Sequence, residues 1–414
     1  MHFSILKDKI LKNKIKICII GLGYVGFPLL QLLEKKNIKC IGIDQNKNKI
    51  KEFRSRKKLN AFFTTDYKFI READIIIYSL PTPLDKKNNP DLKILRDSIN
   101  KSKKLFKNGQ LIILESTSYP GTTKECLSDV IKKFKIGTNF FIGYSPERID
   151  PGNKFFNIEN TTKITSGYSN NCQIITNLFF KKICKKVVKA TSIETAEFTK
   201  IYENIFRSVN IGLANETKQI AKKLNIDFNE IVDLAATKLF GFMKFIPGPG
   251  VGGHCIAVDP FYLSWLAKKK GIKANFIELS GKINSNMPNL IINEIGLYIK
   301  KNINKINPKI LVLGMAYKKN IGDIRNSPSL EIFLKLKKIS NIVKFQDNFI
   351  NSFKHKKNFF TSIKLLDYKV LKKFDAIILA TDHDYYDSKL ILKYSGLIFD
   401  LRNKFKTNKK VIKL

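Results

Sequence analysis

The chain has 414 residues, 43% of them hydrophobic, which predicts a folded globular protein of two or three domains and excludes a disordered chain. It carries 75 basic and 35 acidic residues, a formal charge of +40, but the lysines are spread along the whole sequence. No basic block and no motif of interleaved aromatic and basic residues accompanies this charge, so we read it as compositional drift. A nucleic-acid-binding protein stays the alternative of another class, and steeply salt-dependent binding to random duplex would indicate it.

The cysteines and the apolar start of the chain bear on metal binding and compartment. The six cysteines form no CxxC, and no histidine pair has zinc spacing, so we predict no metal site and a reducing, cytoplasmic compartment. The apolar stretch 15–33 follows a lysine-rich start as a signal peptide would, but it holds three glycines and a proline and lacks a small-residue cleavage site. The same features argue against a membrane span.

The first predicted strand, turn, helix and second strand in chain order form one motif. An apolar, β-branched run predicts a strand at Lys14–Ile20, and GLGYVG at 21–26 follows it directly. A helical pattern then runs through Leu33, and a second strand at Lys39–Ile43 ends at Asp44. A strand, a GxGxxG turn, a helix, a strand and an acid in this order form the dinucleotide-binding fingerprint.

Each part of the fingerprint has a physical role toward NAD. Gly21 makes the tight turn, Gly23 lets backbone N–H groups approach a pyrophosphate, and Gly26 lets helix and strand pack closely. Asp44 would bind the adenine-ribose hydroxyls, which favours NAD over NADP. The predicted NAD loop therefore comprises Gly21, Gly23, Tyr24, Val25 and Gly26.

Three further predicted strands end in polar residues. They are Asp74–Ser79, Gln110–Glu115 and Phe140–Tyr144, followed by LPTP (80–83), ST (116–117) and SPER (145–148). Because ligands bind at the carboxyl ends of parallel strands, we expect these segments to line a binding site rather than to serve only as loop punctuation.

From about Thr195 the pattern becomes helical. Helices are predicted at Thr195–Leu224, Phe228–Lys238 after a capping Asp227, Pro260–Lys270 before Gly271, and Leu290–Lys301. Near Pro308 strands return, at Lys309–Gly314, Ile342–Gln346, Asp375–Ala380 and Leu397–Leu401, with a helix at Leu330–Lys338.

The predicted fold class is α/β, with two Rossmann-like domains of parallel sheet joined by an all-helical middle domain that contains a long central helix. The predicted boundaries are 1–194 for the NAD-binding domain, 195–304 for the helical domain and 305–414 for the C-terminal domain.

The segment FIPGPGVGGHCIAVDPF, residues 245–261, brings four glycines and two prolines up to Cys255. Glycine and proline before a helix can expose a side chain at the helix N-terminus, where the dipole and free N–H groups favour a thiolate. A buried structural cysteine is the alternative, and His254 is either its partner or a structural histidine. Beside NAD, such a thiolate can add to an aldehyde, lose hydride and leave a thioester for water to cleave.

Five segments carry a resemblance to a known family. GLGYVGFP, YSPERIDPG, KIYENIFRSVNIGLANE, PGPGVGGHCIAVDPFYL and MAYKKNIGDIRNSP resemble the signature segments of the UDP-glucose/GDP-mannose dehydrogenase family, and the resemblance covers essentially the whole chain. The cysteine segment and the Lys-x-x-x-Asn-x-x-Arg segment are specific, whereas the glycine turn alone is not. Within the family, the cysteine and SPER segments look most like those of the UDP-N-acetylglucosamine 6-dehydrogenases.

The resemblance implies an enzyme that oxidises the C6 hydroxyl of a UDP-N-acetylhexosamine to a carboxylate, consuming two NAD, for surface polysaccharide biosynthesis. It also implies a dimer formed through the middle domain and a UDP-sugar-binding C-terminal domain. UDP-N-acetylglucosamine is the expected substrate, with UDP-N-acetylmannosamine and UDP-glucose as alternatives. A two-electron dehydrogenase of related fold, with a structural Cys255, is a further alternative.

Carried over by motif, the resemblance makes Cys255 the nucleophile. Lys200 and Asn204 match residues that stabilise the oxyanion at C6, and Asp259 matches the acid that orients Lys200 and the hydrolytic water. Thr117 and Glu147 match groups that hold water. Contacts to NAD are implied for Thr82, Thr117 and Arg325. Contacts to the substrate are implied for Glu147, Arg148, Lys200, Asn204, Arg207, Gly248, Gly252 and Lys318.

Four positions depart from the family pattern. Ala257 replaces a usual proline, and Ser118 replaces a common valine after Thr117. Val258 stands where UDP-glucose enzymes carry lysine, which argues against glucose. Gly322 replaces a more usual acid. None of these removes a proposed catalytic group, so we expect them to affect the rate rather than the reaction type.

Overall fold

A computed structural model describes residues 1–56, 59–149, 153, 155–253, 255–303, 305–406 and 408–414. Some residues of the predicted motifs and boundaries lie outside the described residues. They are His254, the Pro-Gly pair 151–152 that follows SPER, and Asn304, where the predicted middle domain ends. The chain forms two compact units. The first comprises Met1–Glu203 with Phe261–Gly271, and the second comprises Asn204–Pro260 with Ile272–Leu414.

The first unit is built on an eight-stranded sheet with the order β3-β2-β1-β4-β5-β6-β7-β8. Its strands are β1 (Lys16–Ile20), β2 (Lys39–Ile43), β3 (Phe62–Thr64), β4 (Ile75–Tyr78), β5 (Leu111–Leu114), β6 (Phe141–Tyr144), β7 (Lys163–Gly167) and β8 (Val187–Lys189). The strand pairs are parallel except β6 with β7, which run antiparallel. The central strands are buried on both faces, which explains their continuous apolar sequences.

Helices cover both faces of this sheet. They are α1 (His2–Leu11), α2 (Gly26–Lys35), α3 (Lys47–Ser55), α4 (Lys93–Ser102), α5 (Thr122–Cys126), α6 (Ser128–Lys133) and α7 (Asn170–Lys181), with a 3-10 helix at Tyr67–Glu72. The lysine-rich start of the chain is a helix, and α1 buries Leu6 and Ile10 in the apolar core while Lys9 pairs with Asp74 at 2.7 Å.

Four helices follow in the chain. They are α8 (Ile193–Lys223), α9 (Phe228–Ala235), α10 (Asp259–Lys269) and α11 (Asn275–Asn302). The predicted cap of α9 is confirmed, since the Asp227 side chain accepts the Asn229 N–H. Helix α9 ends three residues before the prediction, and α11 starts well before the predicted Leu290.

The second unit contains a five-stranded parallel sheet with the order β10-β9-β13-β14-β15. Its elements are β9 (Ile310–Leu313), α12 (Pro328–Leu336), β10 (Val343–Gln346), the hairpin β11 (Ser352–His355) and β12 (Asn358–Thr361), α13 (Tyr368–Leu371), β13 (Ala376–Leu379), α14 (Ser388–Tyr394), β14 (Leu397–Asp400) and β15 (Val411–Lys413). The predicted fold class, with two Rossmann-like sheets and a helical middle region, is confirmed. In the part of the chain that the structure describes, no helix has the length and hydropathy that crossing a bilayer requires.

Candidate active site

The glycine loop between β1 and α2 has the geometry that a dinucleotide needs. Gly21 has φ +94°, and a Cβ there would lie 2.5 Å from the Ser79 carbonyl oxygen. A Cβ on Gly26 would lie 2.0 Å from the Gly21 carbonyl oxygen. By contrast, apart from its chain neighbours no described residue comes within 4 Å of the Cβ position of Gly23. The fold therefore requires glycine at 21 and 26, whereas Gly23 borders open space in which a pyrophosphate would fit.

Asp44 ties this loop to the end of β2. Its Oδ2 accepts the Leu22 N–H at 3.0 Å and pairs with Lys49 Nζ at 3.2 Å, while its Oδ1 accepts the Asn46 N–H at 3.0 Å. The carboxylate is thus fixed beside the loop, where a ribose hydroxyl could share its lone pairs. Of the other predicted loop residues, Tyr24 is exposed and Val25 is the residue that precedes α2.

Replacing Asp44 by asparagine should weaken NAD binding about 10- to 100-fold, because a hydrogen bond to a charged group contributes about 1.5–3 kcal/mol. Calorimetric titration with NAD and NADP measures the effect, and discrimination against NADP should fall as well. Glu52→Gln is the matched control, because Glu52 is an exposed α3 carboxylate that pairs with Arg56. Unchanged NAD affinity in the Asp44 variant would place the ribose elsewhere.

The polar residues after β4 and β5 contact one another. Thr82 Oγ1 donates to the Thr117 carbonyl at 2.8 Å, and the Leu80 N–H donates to Ser116 Oγ at 2.9 Å. The buried Tyr262, on α10, donates its hydroxyl to the Thr82 carbonyl at 2.9 Å. Thr82 and Thr117 therefore belong to one hydrogen-bonded corner at the carboxyl edge of the sheet.

Glu197 on α8 holds the loop after Thr117, and no sequence motif indicated this residue. Its carboxylate accepts the Gly121 N–H at 2.6 Å, the Thr123 N–H at 2.9 Å and, at 3.4 Å, the hydroxyl of Ser118. Burial raises the pKa of Glu197 to about 7. This contact explains the serine at 118, because valine there could not donate to the carboxylate.

Glu147 belongs to a buried cluster of three charged side chains. Lys163 Nζ lies 2.9 Å from Glu147 Oε2 and 2.8 Å from Glu115 Oε1. The neighbouring Arg148 pairs with Glu203 at 2.6 Å and donates to the Thr162 carbonyl at 2.7 Å. Neither Lys163 nor Glu115 was singled out from the sequence, because no local pattern links residues so far apart in the chain.

Helix α8 carries three of the predicted residues on one face. Lys200, Asn204 and Arg207 follow at spacings of four and three residues, so their side chains project from neighbouring turns. Lys200 is half-buried, Arg207 is exposed, and Asn204 is buried. Asn204 Nδ2 donates to Oδ2 of the fully buried Asp259 at 2.5 Å.

Cys255 lies in the turn that leads into α10. Its carbonyl accepts the N–H groups of Val258 at 3.0 Å and Asp259 at 2.8 Å, so the chain already turns helically there. Cys255 is partly exposed, whereas Cys18, Cys40, Cys172 and Cys184 are buried. This is the predicted position for a reactive thiol, before a helix N-terminus.

The glycines that precede Cys255 have two different surroundings. Cβ atoms on Gly252 and Gly253 would lie 2.5 Å and 2.8 Å from the Tyr317 side chain, so packing within the second unit demands glycine there. At Gly248 the described residue nearest to an added Cβ is Arg402, whose Nη1 would lie 3.5 Å away, and the Gly248 N–H donates to Asn215 Oδ1 at 2.9 Å. Gly248 thus offers the more open backbone toward a ligand.

The segment between β9 and α12 adjoins the glycines. The Gly253 N–H donates to the Arg325 carbonyl at 3.1 Å. The Arg325 guanidinium is held by Asp323, at 2.6 and 2.9 Å, and Lys318 is half-buried in the same segment. A Cβ on Gly322 would lie 2.8 Å from the Phe349 carbonyl oxygen, which explains why the usual acid is absent there.

Arg402, at the carboxyl end of β14, was missed in the sequence. Its Nε donates to the Ala380 carbonyl at 2.7 Å, and its pKa is lowered by burial. The signal was available, because FDLR is an apolar strand that ends in a polar residue, as β4, β5 and β6 do. A guanidinium beside Gly248 is suited to a phosphate.

An NAD-type glycine loop, a second Rossmann-like sheet and a cysteine before a helix define a class, the NAD-linked dehydrogenases with two nucleotide-binding domains. Matches to models of protein families identify the family within this class. The models match the NAD-binding domain at 15–186, the central domain at 194–286 and the UDP-binding domain at 311–407. The chain belongs to the UDP-glucose/GDP-mannose dehydrogenase family, and it is an NAD-dependent nucleotide-sugar dehydrogenase.

Individual relatives span nearly the whole chain. Protein CapL of Staphylococcus aureus is 36% identical over 93% of this chain and 95% of its own length. The UDP-N-acetyl-D-glucosamine 6-dehydrogenase of Salmonella typhi is 32% identical over 90% of this chain and 91% of its own. The solved UDP-D-ManNAc dehydrogenase of Pyrococcus horikoshii superposes with a TM-score of 0.84 at 28% identity, covering 95% of this chain and 96% of that one. The predicted boundaries at 194 and 304 stay predictions.

Proposed function

We propose that the protein oxidises the C6 hydroxyl of UDP-N-acetylglucosamine to a carboxylate, through a thiohemiacetal and a thioester on Cys255, for surface polysaccharide biosynthesis. The observation that carries the proposal is the partly exposed Cys255 in the turn before α10, four residues before the buried Asp259. The similarity to the Salmonella typhi enzyme supports this sugar. The Pyrococcus horikoshii structure supports its manno epimer as the second candidate.

In the oxidation steps the chain supplies a nucleophile and an oxyanion site. When bound, NAD accepts one hydride in each oxidation. The Cys255 sulfur bonds to the aldehyde carbon left by the first oxidation, which makes the second oxidation possible. Lys200 and the Asn204 amide stabilise negative charge on the C6 oxygen, and Asp259 orients Lys200.

Hydrolysis then releases the product. The Glu147 carboxylate takes a proton from a water that Thr117 helps to hold, and the water oxygen bonds to the thioester carbon. The C–S bond breaks, Cys255 leaves as a thiolate, and the sugar leaves as a uronic acid. The hydroxyl proton of the first oxidation passes to the water that Thr117 and Glu147 hold, and with two hydrides removed and one water consumed the sequence balances as a four-electron oxidation.

The nucleotide part of the substrate would lie against the second unit. We assign the UDP moiety to the backbone at Gly248 and Gly252 and to Lys318, and we add Arg402 because its half-buried side chain borders Gly248. Arg148 and Arg207 are assigned to the sugar, and Arg325 is assigned to the cofactor.

Measuring NADH released against a panel of nucleotide sugars tests the proposal. We expect two NADH per UDP-N-acetylglucosamine, and a kcat/KM at least about tenfold lower for the manno and galacto epimers and for UDP-glucose, since one misplaced polar contact costs about 1–3 kcal/mol. One NADH per sugar with accumulating aldehyde would contradict the thioester route and favour a two-electron dehydrogenase. Preference for another epimer would correct the substrate alone.

We also propose that the protein is a homodimer formed through α8 and α9. These helices and the segment after them form an apolar groove of about 400 Å³, lined by residues such as Leu213, Ile220, Ile231 and Phe242, all of which are exposed. Monomeric proteins rarely leave so many large apolar side chains exposed together. A second copy of the same surface would cover them, and the family resemblance supports such a dimer.

Replacing Leu213 by glutamate should convert the dimer into a monomer, because it would place a charge in the apolar groove. Sedimentation equilibrium measures the mass directly. Leu365→Glu is the matched control, since Leu365 is also exposed but lies before α13, outside the groove. A Leu213 variant that keeps the wild-type mass would contradict this interface.

A further inference from the structure

Three charged side chains form a buried cluster in the first unit, and two of them have no role in the mechanism above. Glu115 follows β5, Glu147 follows β6, and Lys163 is the first residue of β7. Their side chains are 0%, 10% and 3% exposed, in that order. Burying three charges is costly, so the cluster calls for an explanation beyond packing.

The antiparallel pairing of β6 with β7 explains how Lys163 reaches this place. Gly143 lies opposite Gly167, and Tyr144 lies opposite Ser166. Continuing this register beyond the strands places Lys163 opposite Glu147. A parallel β7 would have started at the other edge of the sheet, so the reversed strand delivers the ammonium to the edge where ligands bind.

The contacts of Lys163 are to two carboxylates and one aromatic ring. Its Nζ donates to Glu115 Oε1 at 2.8 Å and to Glu147 Oε2 at 2.9 Å, and it lies 5.0 Å from the centre of the Phe180 ring. The other oxygen of Glu147 accepts the N–H groups of Arg148 and Ile149, both at 2.8 Å. Glu147 is thereby fixed from both oxygens.

The electrostatics of the cluster give its two carboxylates different properties. The Lys163 ammonium lowers the pKa of Glu147, whereas burial raises the pKa of Glu115. The two carboxylates in turn hold the pKa of Lys163 above its usual value. Cys184 also faces the cluster, and burial raises its pKa to about 11, so it stays a neutral thiol near pH 7.

The ion pair of Arg148 with Glu203 lies next to the cluster and balances its own charge. Among the described residues one ammonium therefore faces two carboxylates, and its removal would leave these two competing for a proton.

We propose that Lys163 is a positioning residue that keeps Glu147 ionised and aimed, so that Glu147 can take the proton from water during thioester hydrolysis. The proposal rests on the proposed function, because it assigns Lys163 to the step that releases the uronic acid from Cys255. Glu115 is the second anchor of the ammonium, and its raised proton affinity leaves Glu147 as the ionised partner.

The test is a pH profile combined with detection of the covalent intermediate. Lys163→Met should move the acidic limb of kcat upward by at least about one pH unit, a tenfold change in proton concentration. Below this limb, intact-mass spectrometry should detect protein that carries the sugar acyl group. Lys163→Arg should keep the wild-type limb, because its cation can still pair with both carboxylates. The control is Lys189→Met, an exposed lysine on β8 of the same unit.

A second variant covers the case in which Lys163→Met does not fold. Lys163→Met/Glu115→Gln removes one carboxylate together with the ammonium, which relieves the repulsion, yet Glu147 still lacks its cation. Its acidic limb should therefore still lie above that of wild type, whereas Glu115→Gln alone should leave the limb at or below it. A folded double variant with the wild-type limb and no acyl-protein would overturn the proposal.

Failure of the proposal can be told from failure of the proposed function. If Glu147→Gln accumulates acyl-protein and the Lys163 variants do not, the role of Lys163 is wrong while the thioester route stands. If no variant accumulates acyl-protein and wild type releases one NADH per sugar, the proposed function itself is wrong.

Discussion

Replacing Cys255 by serine should lower kcat for the full oxidation by at least about three orders of magnitude, which corresponds to about 4 kcal/mol in activation free energy. A hydroxyl near neutral pH is a far weaker nucleophile than a thiolate. If it does bond to the aldehyde carbon, the second oxidation leaves an oxygen ester, which water cleaves less readily than a thioester. In the proposed mechanism Cys255 reacts as a thiolate, and its position before α10 places it where the helix N-terminus favours negative charge more than a neutral hydroxyl.

Two measurements separate loss of the nucleophile from loss of the fold. NADH should fall from two per sugar to at most one, and intact-mass spectrometry should detect no thioester in the Cys255 variant. Cys126→Ser is the matched control, because Cys126 is also partly exposed but lies at the end of α5, and burial raises its pKa to about 11. A Cys255 variant that still released two NADH at the wild-type rate would make this cysteine structural.

The parts of the fold that follow from local pattern were predicted closely. The strand Lys39–Ile43 has the predicted bounds, and Asp44 contacts the glycine loop as the fingerprint requires. These features are set within about 30 residues of chain by the turn, by the apolar run and by the packing of one helix on two strands. Sequence reasoning therefore located the cofactor loop without knowledge of the rest of the sheet.

Helix α11 shows where local pattern fails. Its first half contains SGKINSNMPN, which indicates a loop because glycine, serine, asparagine and Pro288 disfavour a helix. In the fold, Asn284 of this stretch donates to the Ser208 carbonyl at 2.9 Å and accepts from Asn215 Nδ2 at 3.0 Å. These bonds to α8 stabilise the helix, and they depend on tertiary contact that the sequence does not display.

The residues of the candidate site likewise fall into those that local motifs predicted and those that depend on the tertiary fold. Motifs gave the residues of single segments, such as Lys200 and Asn204 on one helix, but they gave no information on which distant groups support them. Lys163 reaches Glu147 only because β7 runs antiparallel to β6, and strand direction is a property of the whole sheet. The supporting residues of a site are therefore the part that sequence reasoning misses first.

Replacing Asp259 by asparagine should lower kcat by about 100- to 1,000-fold while the protein stays folded, since the loss of the charge that we propose orients Lys200 costs about 3–4 kcal/mol of barrier. The substituted side chain has the same shape, and its amide oxygen can still accept the Asn204 N–H, which now reaches Asp259 at 2.5 Å. Stability should fall by about 1 kcal/mol. Rapid-quench measurement of the first NADH gives the rate, and thermal unfolding gives the stability. The control is Asp375→Asn, an acid that accepts the Lys309 N–H at 2.8 Å at the start of β9.

The paired exchange Asn204→Asp/Asp259→Asn tests whether the position of the charge matters or only its presence. It keeps a carboxylate hydrogen-bonded to an amide between α8 and the start of α10, so stability should return to within about 1 kcal/mol of wild type. The carboxylate, however, then lies on α8, one hydrogen bond away from its original position. Lys200 lies one turn earlier on the same helix and would pair with it directly. Pairing with residue 204 draws the Lys200 ammonium away from the direction in which Asp259 is proposed to orient it, and the exchange also removes the Asn204 amide proposed for the C6 oxyanion, so kcat should stay at least about 100-fold low. Recovery of kcat in the exchanged protein would show that only the total charge matters, and it would remove the role assigned to Asp259.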